Sequence, residues 1–439
     1  MFNIRKQLSE IGKKIKHIIN QYSSSDFVKN TASLFSTKAV LFITGMAASI
    51  LSARLLGPEG KGIFAYVTVI IGLGVQFGNF GMQSANTYHL SRDKSLLPGA
   101  VGNSLAITGL VAVFSLLIYF TALFFPNFIS VSGRLLIIAF AFIPLQLYQM
   151  FQQNIFIALG DVKTYNILEL SNGSLYPLLF VILAILGMVT PFNALCASFF
   201  SCAVIVTAGF IIIKRGFLKE RIHFNKQFLQ TCLQFGIFTY ISTFIMYMLT
   251  RADIFLIDFF LDKTQTGKYS VAVQLSDLLI MIISSVGILM FPKISSIQSD
   301  YEKFYAFRKI IITMTVVIGG CVFIGILISG FAIPFLYGYE FNESINCFRI
   351  LLTGAIFYSY SSFFFNFFMA MKKLRIIISA PLTALVINFL LNIWLIPEKQ
   401  IIGAAAAKLI AFFCMALIMV MYYTKLKRVT INTDGFKEA

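Results

Sequence analysis

Residues 53–66 read ARLLGPEGKGIFAY and lie between two long apolar runs. The stretch carries three charged side chains, at Arg54, Glu59 and Lys61. It also contains four residues that favour turns and break helices, namely Gly57, Pro58, Gly60 and Gly62. Glycine at such a connection permits a tight turn or a positive φ angle. We therefore predict that this stretch forms a loop joining two membrane helices.

The composition of the chain indicates a membrane protein. Of its 439 residues, 58% are hydrophobic and 12% are charged, and the mean hydropathy is +0.84. Soluble domains are about 45–50% apolar and about 25% charged, so this chain has more apolar surface than a water-soluble core can bury. Its six cysteines show no paired or metal-binding spacing, and it has three histidines. We therefore expect no disulfide framework, no metal site and no histidine-based catalysis.

The apolar segments are long enough to cross a bilayer, which takes about 20 residues per helix. We predict an all-α polytopic membrane protein with twelve transmembrane helices, at 33–53, 63–88, 99–125, 134–158, 166–187, 193–213, 229–252, 266–291, 309–336, 346–371, 376–396 and 402–424. The connections between these spans are short and leave no room for a soluble catalytic domain. The protein is therefore not expected to be an enzyme.

Lysine and arginine concentrate in alternate connections between the predicted spans. One set of connections, together with both termini, is rich in basic residues, including Arg92, Lys94, Lys163, Lys214, Arg215, Lys219, Arg221, Lys226, Lys293, Lys303, Arg308, Lys309, Lys372, Lys373 and Arg375. The other set has fewer, namely Arg54, Lys61, Arg134, Lys263, Lys268 and Lys399. Because positive charge stays on the cytoplasmic side, we predict cytoplasmic N- and C-termini. This topology accounts for the net charge of +17, and nucleic acid is not expected as a partner.

The basic N-terminus has apolar residues at helical spacing, which are Ile4, Leu8, Ile11, Ile15 and Ile18. We predict that residues 1–30 form a cationic amphipathic helix on the inner leaflet. A loosely ordered basic tail is the alternative. No short apolar core with a cleavage site follows the charges, so the segment is not predicted to be a signal peptide.

The opening stretch returns later in the chain. LGPEGKGIFAYV at 56–67 aligns without gaps on LDKTQTGKYSVA at 261–272 and matches Gly62 with Gly267. Both copies lie in connections that are predicted on the outer side, between spans 1 and 2 and between spans 7 and 8. The match indicates an internal repeat.

A second alignment supports the repeat. NIFIALGDVK, which starts at Asn154, aligns on NFFMAMKKLR, which starts at Asn366, and the two offsets of 205 and 212 residues are nearly equal. We predict two six-helix lobes related by a pseudo-two-fold axis along the membrane normal, an arrangement that suits alternating access. The predicted segments are the N-terminal segment at 1–30, an N-lobe at 31–213, a basic cytoplasmic linker at 214–228, a C-lobe at 229–424 and a cytoplasmic tail at 425–439.

Several stretches resemble polysaccharide (O-antigen-type) flippases of the multidrug/oligosaccharidyl-lipid/polysaccharide (MOP) exporter superfamily. ARLLGPEGKGIFAY is similar to their first outer loop, and FGNFGMQSANTYHLSRD at 77–93 is similar to their second span and the inner loop after it. TRADIFLIDFFLDKTQTGKYSVA at 250–272 resembles span 7 and its outer loop, and ALVINFLLNIWLIPEKQIIGAAAAKLIAFF at 384–413 resembles spans 11 and 12. Lys399 and Gln400 depart from the family pattern, in which a small or aromatic residue and glycine are common. The resemblance covers essentially the whole chain.

The resemblance implies a substrate and a location. The substrate is an oligosaccharide linked through pyrophosphate to a polyprenyl lipid, and it moves from the cytoplasmic to the outer leaflet of a bacterial inner membrane. Membrane lipids and other surface-polysaccharide assembly proteins are the implied partners. No cofactor is implied. The glycine-rich spacing of a complete P-loop does not occur in the chain, so the expected source of energy is an ion gradient of H⁺ or Na⁺, the membrane potential or a substrate gradient.

Seven ionisable residues are predicted within spans, where such residues are rare and mark functional sites. The cations expected to contact a diphosphate or line a cavity are Arg251, Lys38, Lys408 and Arg349. The acids expected to form ion pairs or couple an ion are Asp253, Glu169 and Asp277.

Arg251 is the preferred diphosphate contact, because a guanidinium matches phosphate oxygens through two parallel hydrogen bonds. Asp253 does not face Arg251 on a helix. We expect it to pair with a cation on another helix or to take part in ion coupling. Structural roles stay open: Lys38, Arg349 and Lys408 can snorkel to the interface. Arg251 can form a structural ion pair, and the two other acids can hydrogen-bond between helices.

Neutral amides recur at helical spacing in several spans. The set expected to line a wet cavity for sugar hydroxyls is Gln76, Asn79, Gln83 and Asn86 in span 2, Gln146, Gln149, Gln153 and Asn154 in span 4, Asn366 in span 10, and Asn388 and Asn392 in span 11. Hydrogen bonding between helices is the alternative role for a single amide. The four amides of span 2 are expected to share one helix face, which favours a cavity lining.

Three functions compete. The favoured one is a flippase for polyprenyl-diphosphate-linked oligosaccharides that works by alternating access. The second is an ion-coupled multidrug/cation antiporter of the same superfamily, which the surplus of intramembrane cations disfavours. The third is a membrane glycan polymerase or ligase, which ranks last because such enzymes need a large outer catalytic loop.

Overall fold

The structure is a computed structural model that describes residues 26–124, 131–218, 220–295, 297, 299–371 and 373–434. Eleven α-helices make up nearly all of this part of the chain. In chain order they are α1 (Asp26–Gly78), α2 (Met82–Arg92), α3 (Leu97–Phe124), α4 (Gly133–Leu159), α5 (Val162–Ile185), α6 (Pro191–Ile212), α7 (Lys226–Phe260), α8 (Lys263–Ser295), α9 (Asp300–Tyr337), α10 (Ser344–Ala370) and α11 (Leu374–Asp434). Of the amphipathic helix predicted at residues 1–30, residues 1–25 lie outside the described part, and residues 26–30 belong to α1.

The helices have the length and composition of membrane spans. Within the described residues, nine of them are long and apolar enough to cross a bilayer, namely α1, α3, α4, α5, α6, α7, α9, α10 and α11. Large apolar side chains such as Leu117, Phe238 and Val316 are exposed on these helices. The chain is therefore a multi-pass, all-helical membrane protein, as predicted.

The two longest helices are each interrupted by one non-helical residue. In α1 it is Gly57, with φ 68° and ψ 179°; in α11 it is Gln400, with φ 53° and ψ −140°. Each of these helices therefore has a first and a second arm. Predicted spans 11 and 12 occupy the two arms of α11, and spans 1 and 2 begin in the arms of α1. The structure thus has eleven helices where twelve were expected.

The prediction of a loop over residues 53–66 is wrong in its extent. Every residue of the stretch except Gly57 has helical backbone geometry. Pro58 follows directly, and proline suits the first turn of a helix because its φ angle is fixed and its missing N–H has no helical partner there. The second arm of α1 therefore begins at once, and Lys61 and Gly62 lie on a helix.

A second interruption lies between α1 and α2. The chain leaves α1 at Gly78 and enters α2 at Met82, and Phe80 (φ 45°) and Gly81 (φ 79°) adopt left-handed backbone conformations between them. A Cβ atom at Gly81 would lie 2.5 Å from the carbonyl carbon and oxygen of Gly236 in α7. Only glycine therefore fits this turn, because the backbone is left-handed and the neighbouring helix is in direct contact.

Buried apolar side chains form two large clusters in different parts of the chain. The first cluster extends from Val67 to Cys232 and the second from Leu249 to Met419. The change from one cluster to the other falls within α7. We refer to α1–α6 as the N-terminal half and to α7–α11 as the C-terminal half.

The second arm of α1 crosses α8 in direct backbone contact. A Cβ atom at Gly62 would lie 1.7 Å from the carbonyl oxygen of Lys263, and a Cβ atom at Gly267 would lie 1.8 Å from the carbonyl oxygen of Pro58. Lys263 and Gly267 stand 205 residues after Pro58 and Gly62, which is the offset of the sequence repeat. The contact is therefore reciprocal between repeat-related positions.

The connection between the halves is fixed to the start of α3. The Asn103 side chain donates to the carbonyl oxygen of Asn225 (3.0 Å) and accepts from its backbone N–H (2.9 Å). A Cβ atom at Gly102 would lie 2.0 Å from the carbonyl oxygen of His223. The part of the predicted linker around His223 and Asn225 is thus held against the N-terminal half.

Candidate functional site

A cavity of ≈ 310 Å³ lies between the two halves. The N-terminal half contributes the second arm of α1 and Gln146 of α4, and the C-terminal half contributes α7 and α8. Its ionisable lining residues, apart from a tyrosine, are Lys61, Arg251 and Asp277. We call this space the inter-half cavity. Charged groups from both halves therefore meet in one space.

Arg251 forms an ion pair across the wall of this cavity. Its Nη2 atom lies 2.6 Å from Oδ2 of Asp277, which joins α7 to α8. The two side chains are 30% and 32% exposed, so both reach the space. A short charge-assisted hydrogen bond of this kind is among the stronger polar contacts in proteins. Arg251 therefore faces the cavity with its charge already compensated.

Lys61 is the cation that the sequence did not single out. The sequence predicts an outer loop at Lys61. In the structure the helix resumes after Gly57, and the Lys61 side chain points inward and is 3% exposed. Its Nζ atom donates to Ser52 Oγ (2.7 Å) and to Gln274 Oε1 (3.2 Å), both neutral acceptors. Ser49 Oγ also donates to Gln274 Oε1 (2.6 Å), which holds that acceptor in place. Among the described residues, no carboxylate oxygen lies within 4.0 Å of Nζ.

A second cavity of ≈ 280 Å³ lies within the C-terminal half. Arg251 and Asp277 line both cavities, so their ion pair stands between the two spaces. The second cavity is also lined by Tyr358 of α10 and Lys408 of α11.

Lys408 and Asp253 form a buried ion pair beside this second cavity. Nζ of Lys408 lies 2.8 Å from Oδ2 of Asp253, and the side chains are 5% and 1% exposed. Lys408 also donates to the carbonyl oxygen of Thr250 (2.7 Å), and Asp253 accepts from the Tyr269 hydroxyl and from the N–H of Ile254 (3.0 Å). Asp253 thus pairs with a cation on another helix, as the sequence suggested. With this many partners, the pair has the character of a structural link.

The other predicted cations lie away from both cavities. Lys38 is 3.8 Å from Glu169 of α5, a looser contact than a hydrogen bond. Arg349 donates to Ser329 Oγ (2.9 Å) and so joins α10 to α9. Arg54 donates to the carbonyl oxygens of Leu336 (2.7 Å) and Phe335 at the end of α9. An arginine at the C-terminus of a helix satisfies carbonyls that lack helical partners.

The amides of span 2 do not lie on one continuous helix, which the expectation of a shared face assumed. The left-handed turn at Phe80 and Gly81 separates Gln76 from Gln83. Asn79 lies in the turn itself, where it accepts from the N–H of Gln83 (3.2 Å). Asn86 donates to Ser104 Oγ of α3 (3.1 Å) and so packs between helices.

The remaining predicted amides mostly bond to nearby helix atoms. Gln149 accepts from the Cys202 thiol of α6 (3.2 Å), and Asn154 accepts from the Thr87 hydroxyl (3.1 Å). Asn366 donates to the carbonyl of Ser362 (2.8 Å), and Asn392 donates to Asn388 Oδ1 (3.1 Å). Gln153 is half-buried on α4. Of the predicted amides within the described part of the chain, Gln146 lines the inter-half cavity.

Fold and cavity define the class first: a multi-pass, all-helical membrane protein with a cavity between its two halves. Over 90% of its length the chain matches a structure titled "Lipid II flippase MurJ, inward closed conformation", with a TM-score of 0.72 at 17% identity and 87% of that chain covered. It also matches an inward-facing multidrug resistance MATE family transporter of the MOP superfamily, with a TM-score of 0.62 at 15% identity, over 91% of this chain and 96% of that chain. The fold is therefore that of MOP superfamily transporters.

Sequence comparison then gives the family. A family model described as "Polysaccharide biosynthesis protein" matches residues 51–346, and the chain belongs to this family. A Shigella flexneri protein whose name assigns it provisionally to O-antigen transport is 22% identical over 405 residues, 87% of this chain and 93% of that protein. An uncharacterized membrane protein of Methanocaldococcus jannaschii is 23% identical over 230 residues, 51% of this chain and 45% of that protein. The chain thus spans less than half of the archaeal protein. The family resemblance predicted from the sequence is confirmed.

Proposed function

We propose that this protein is a flippase that moves polyprenyl-diphosphate-linked oligosaccharides from the cytoplasmic to the outer leaflet during surface-polysaccharide assembly. The observation that carries the proposal is the inter-half cavity, in which Lys61 and Arg251 outnumber the one acid, Asp277. A sugar–diphosphate head cannot cross hydrocarbon unaided, because removing water from an uncompensated charge costs many kcal/mol. A cavity with surplus positive charge meets that need.

The proposed mechanism is alternating access between two six-helix lobes. In this scheme the two arms of α1 and the two arms of α11 are separate spans, and the second arm of α1 forms one span with α2. The total is then twelve spans. Two observations support a pseudo-two-fold axis: the two apolar clusters divide within α7, and Gly62 and Gly267 make a reciprocal contact at the repeat offset. The two halves are in contact on either side of the cavity, at Gly62 with Gly267 and at Gly81 with Gly236. Such contacts suit a closed state through which a transporter passes.

The proposed orientation puts both termini in the cytoplasm of a bacterial cell, with the protein in the inner membrane. Basic residues cluster at the ends of helices that the repeat puts on one side. They include Arg92 at the end of α2, Lys94 just after it, and Lys214 and Arg215 after α6. The contact between Gly62 and Gly267 then lies near the outer surface. Lipid-linked oligosaccharide would enter from the inner leaflet, with its polyprenyl tail in the bilayer.

The proposed driving force is a gradient of H⁺ or Na⁺. Glu169 is the acid best suited to exchange an ion, because its contact with Lys38 is loose at 3.8 Å and its side chain is 19% exposed. Asp253 is less suited, since its carboxylate already binds Lys408 and two further donors.

A multidrug/cation antiporter is the second candidate, and the likeness to the MATE fold favours it. Its passenger carries positive charge, which the surplus of cations in the inter-half cavity would repel. A glycan polymerase or ligase ranks behind both, because the connections between the described helices are short.

A transport assay separates the first two candidates. The purified protein is reconstituted into liposomes with either a polyprenyl-diphosphate oligosaccharide, detected by a lectin at the opposite leaflet, or a cationic dye. We expect movement of the glycan lipid and none of the dye. Arg251→Ala should abolish glycan movement and Arg251→Lys should keep part of it, while Lys303→Met serves as control because Lys303 pairs with Asp300 at the start of α9, away from the cavity. Dye movement without glycan movement would favour the antiporter.

A further inference from the structure

The environment of Lys61 is unusual for a buried charge. The side chain is 3% exposed, and its described hydrogen-bond partners, Ser52 Oγ and Gln274 Oε1, are neutral. An ammonium group has three donors, so two are used and one stays available. Lys61 is one of the residues that line the inter-half cavity, so a ligand in that cavity is the candidate acceptor for the third donor.

The charges around the cavity do not balance without a ligand. Arg251 and Asp277 compensate each other at 2.6 Å, whereas Lys408 is compensated by Asp253 at 2.8 Å. Lys61 has no comparable partner among the described residues. Burying a cation without a counterion is costly, and membrane proteins that retain such a residue use it for function. The missing counterion therefore indicates that the cavity takes an anion.

We propose that Lys61 is the primary contact for the diphosphate of the passenger and that the passenger is the counterion of Lys61 when the cavity is closed. This inference rests on the proposed flippase function and adds a residue to its binding site. Lys61 reaches the cavity from α1 and Arg251 from α7. A diphosphate that binds both residues therefore connects the two halves.

Lys61 ranks above Arg251 as a diphosphate contact for a physical reason. To bind phosphate with its full charge, Arg251 has to weaken its bond to Asp277. Lys61 gives up nothing comparable, because its acceptors are a hydroxyl and an amide, and charge-assisted hydrogen bonds to phosphate are stronger than bonds to neutral acceptors. Lys61 is therefore the stronger contact for the diphosphate, and Arg251 is the weaker one.

The test measures binding to the purified full-length protein in detergent. The probes are geranylgeranyl diphosphate, inorganic pyrophosphate as a competitor, and the neutral alcohol geranylgeraniol. The variants are Lys61→Met, which removes the charge, Lys61→Arg, which keeps it, and Lys303→Met as a control whose lysine pairs with Asp300 outside the cavity. Thermal unfolding of each empty variant is recorded alongside.

We expect Lys61→Met to weaken geranylgeranyl diphosphate about ten- to hundredfold, the range of one charge-assisted hydrogen bond. Competition by pyrophosphate should weaken in parallel, and binding of geranylgeraniol should not change. Lys61→Arg should stay within about threefold of the unaltered protein. The unfolding temperature of Lys61→Met should be unchanged or higher, because an uncompensated buried charge has been removed.

Two results would overturn the role of Lys61. One is equal diphosphate binding by Lys61→Met and the unaltered protein. The other is a Lys61→Met variant that unfolds earlier and loses the neutral alcohol as well, which is the behaviour of a purely structural lysine. If the unaltered protein binds no diphosphate at all, the proposed flippase function fails, and that outcome is distinct from both.

Discussion

Gly62 and Gly267 stand at matching positions of the sequence repeat and lie against each other where α1 crosses α8. Each has a carbonyl oxygen of the opposite helix less than 2 Å from the position of a Cβ atom: that of Lys263 for Gly62 and that of Pro58 for Gly267. No side chain fits between the helices. The two glycines match each other in the internal sequence repeat, and in the structure they lie together at the edge of the inter-half cavity.

Substitution of either glycine should force the helices apart. We expect Gly267→Ala to destabilise the structure by about 1–3 kcal/mol, the usual range for overpacking a tight contact, and to increase the reactivity of a cysteine introduced nearby. Thermal unfolding in detergent and labelling with a polar maleimide measure the two effects. Gly319→Ala is the matched control, because a Cβ atom at Gly319 of α9 has no neighbour within 4 Å. Equal behaviour of the two variants would contradict the close contact.

The buried ion pair between Asp253 and Lys408 should be a stability element. Asp253→Asn leaves the Lys408 ammonium uncompensated at 5% exposure, so we expect a loss of about 3–5 kcal/mol. The double variant Asp253→Asn with Lys408→Met should recover most of the loss, since an amide oxygen can still accept from Tyr269. A double-mutant cycle on thermal unfolding measures the coupling. Additive losses would show that the two residues do not depend on each other.

Asp277 should compete with the passenger for Arg251. In Asp277→Asn the guanidinium loses its carboxylate partner at 2.6 Å, and the cavity gains one net positive charge. We expect geranylgeranyl diphosphate to bind about tenfold more tightly, on the scale of one charge-assisted hydrogen bond. Asp300→Asn is the control, because Asp300 pairs with Lys303 outside the cavity. Weaker binding in Asp277→Asn would mean that Arg251 needs its partner to stay in position.

Glu169 should carry the coupling if transport uses an ion gradient. Glu169→Gln keeps the size of the side chain and removes its charge. We expect transport in liposomes to become insensitive to an imposed H⁺ or Na⁺ gradient, while binding of the diphosphate stays within about threefold, the scatter allowed for a residue outside the site. An unchanged response to both gradients would remove Glu169 from the coupling site.

The membrane class, the helical fold and the family could be predicted from the sequence, because composition and apolar segment length depend on no tertiary detail. The pairing of Asp253 with another helix also followed from local geometry, since residues two apart on a helix do not face each other. The role of Lys61 could not be predicted in this way. Its place beside three glycines and a proline is typical of a loop, and only the immediate return to helix after Gly57 turns it inward.

The amides show a second limit of sequence reasoning. Their spacing predicted one face on a continuous helix, but the left-handed residues Phe80 and Gly81 break that helix. Phe80 carries no local signal for such a conformation, because positive φ angles are rare outside glycine and asparagine. The turn lies where the chain contacts Gly236 of α7. The spacing of amides along the sequence carries no information about that contact.

The most direct test of the electropositive cavity compares two carriers of the same glycan. Liposomes containing the protein receive the oligosaccharide linked either to polyprenyl diphosphate or to a neutral polyprenyl ether, and lectin binding at the opposite leaflet reports its appearance with time. The account predicts that the diphosphate-linked glycan moves and the neutral one does not exceed the rate of empty liposomes. Equal movement of both carriers would contradict the claim that Lys61 and Arg251 recognise an anionic head.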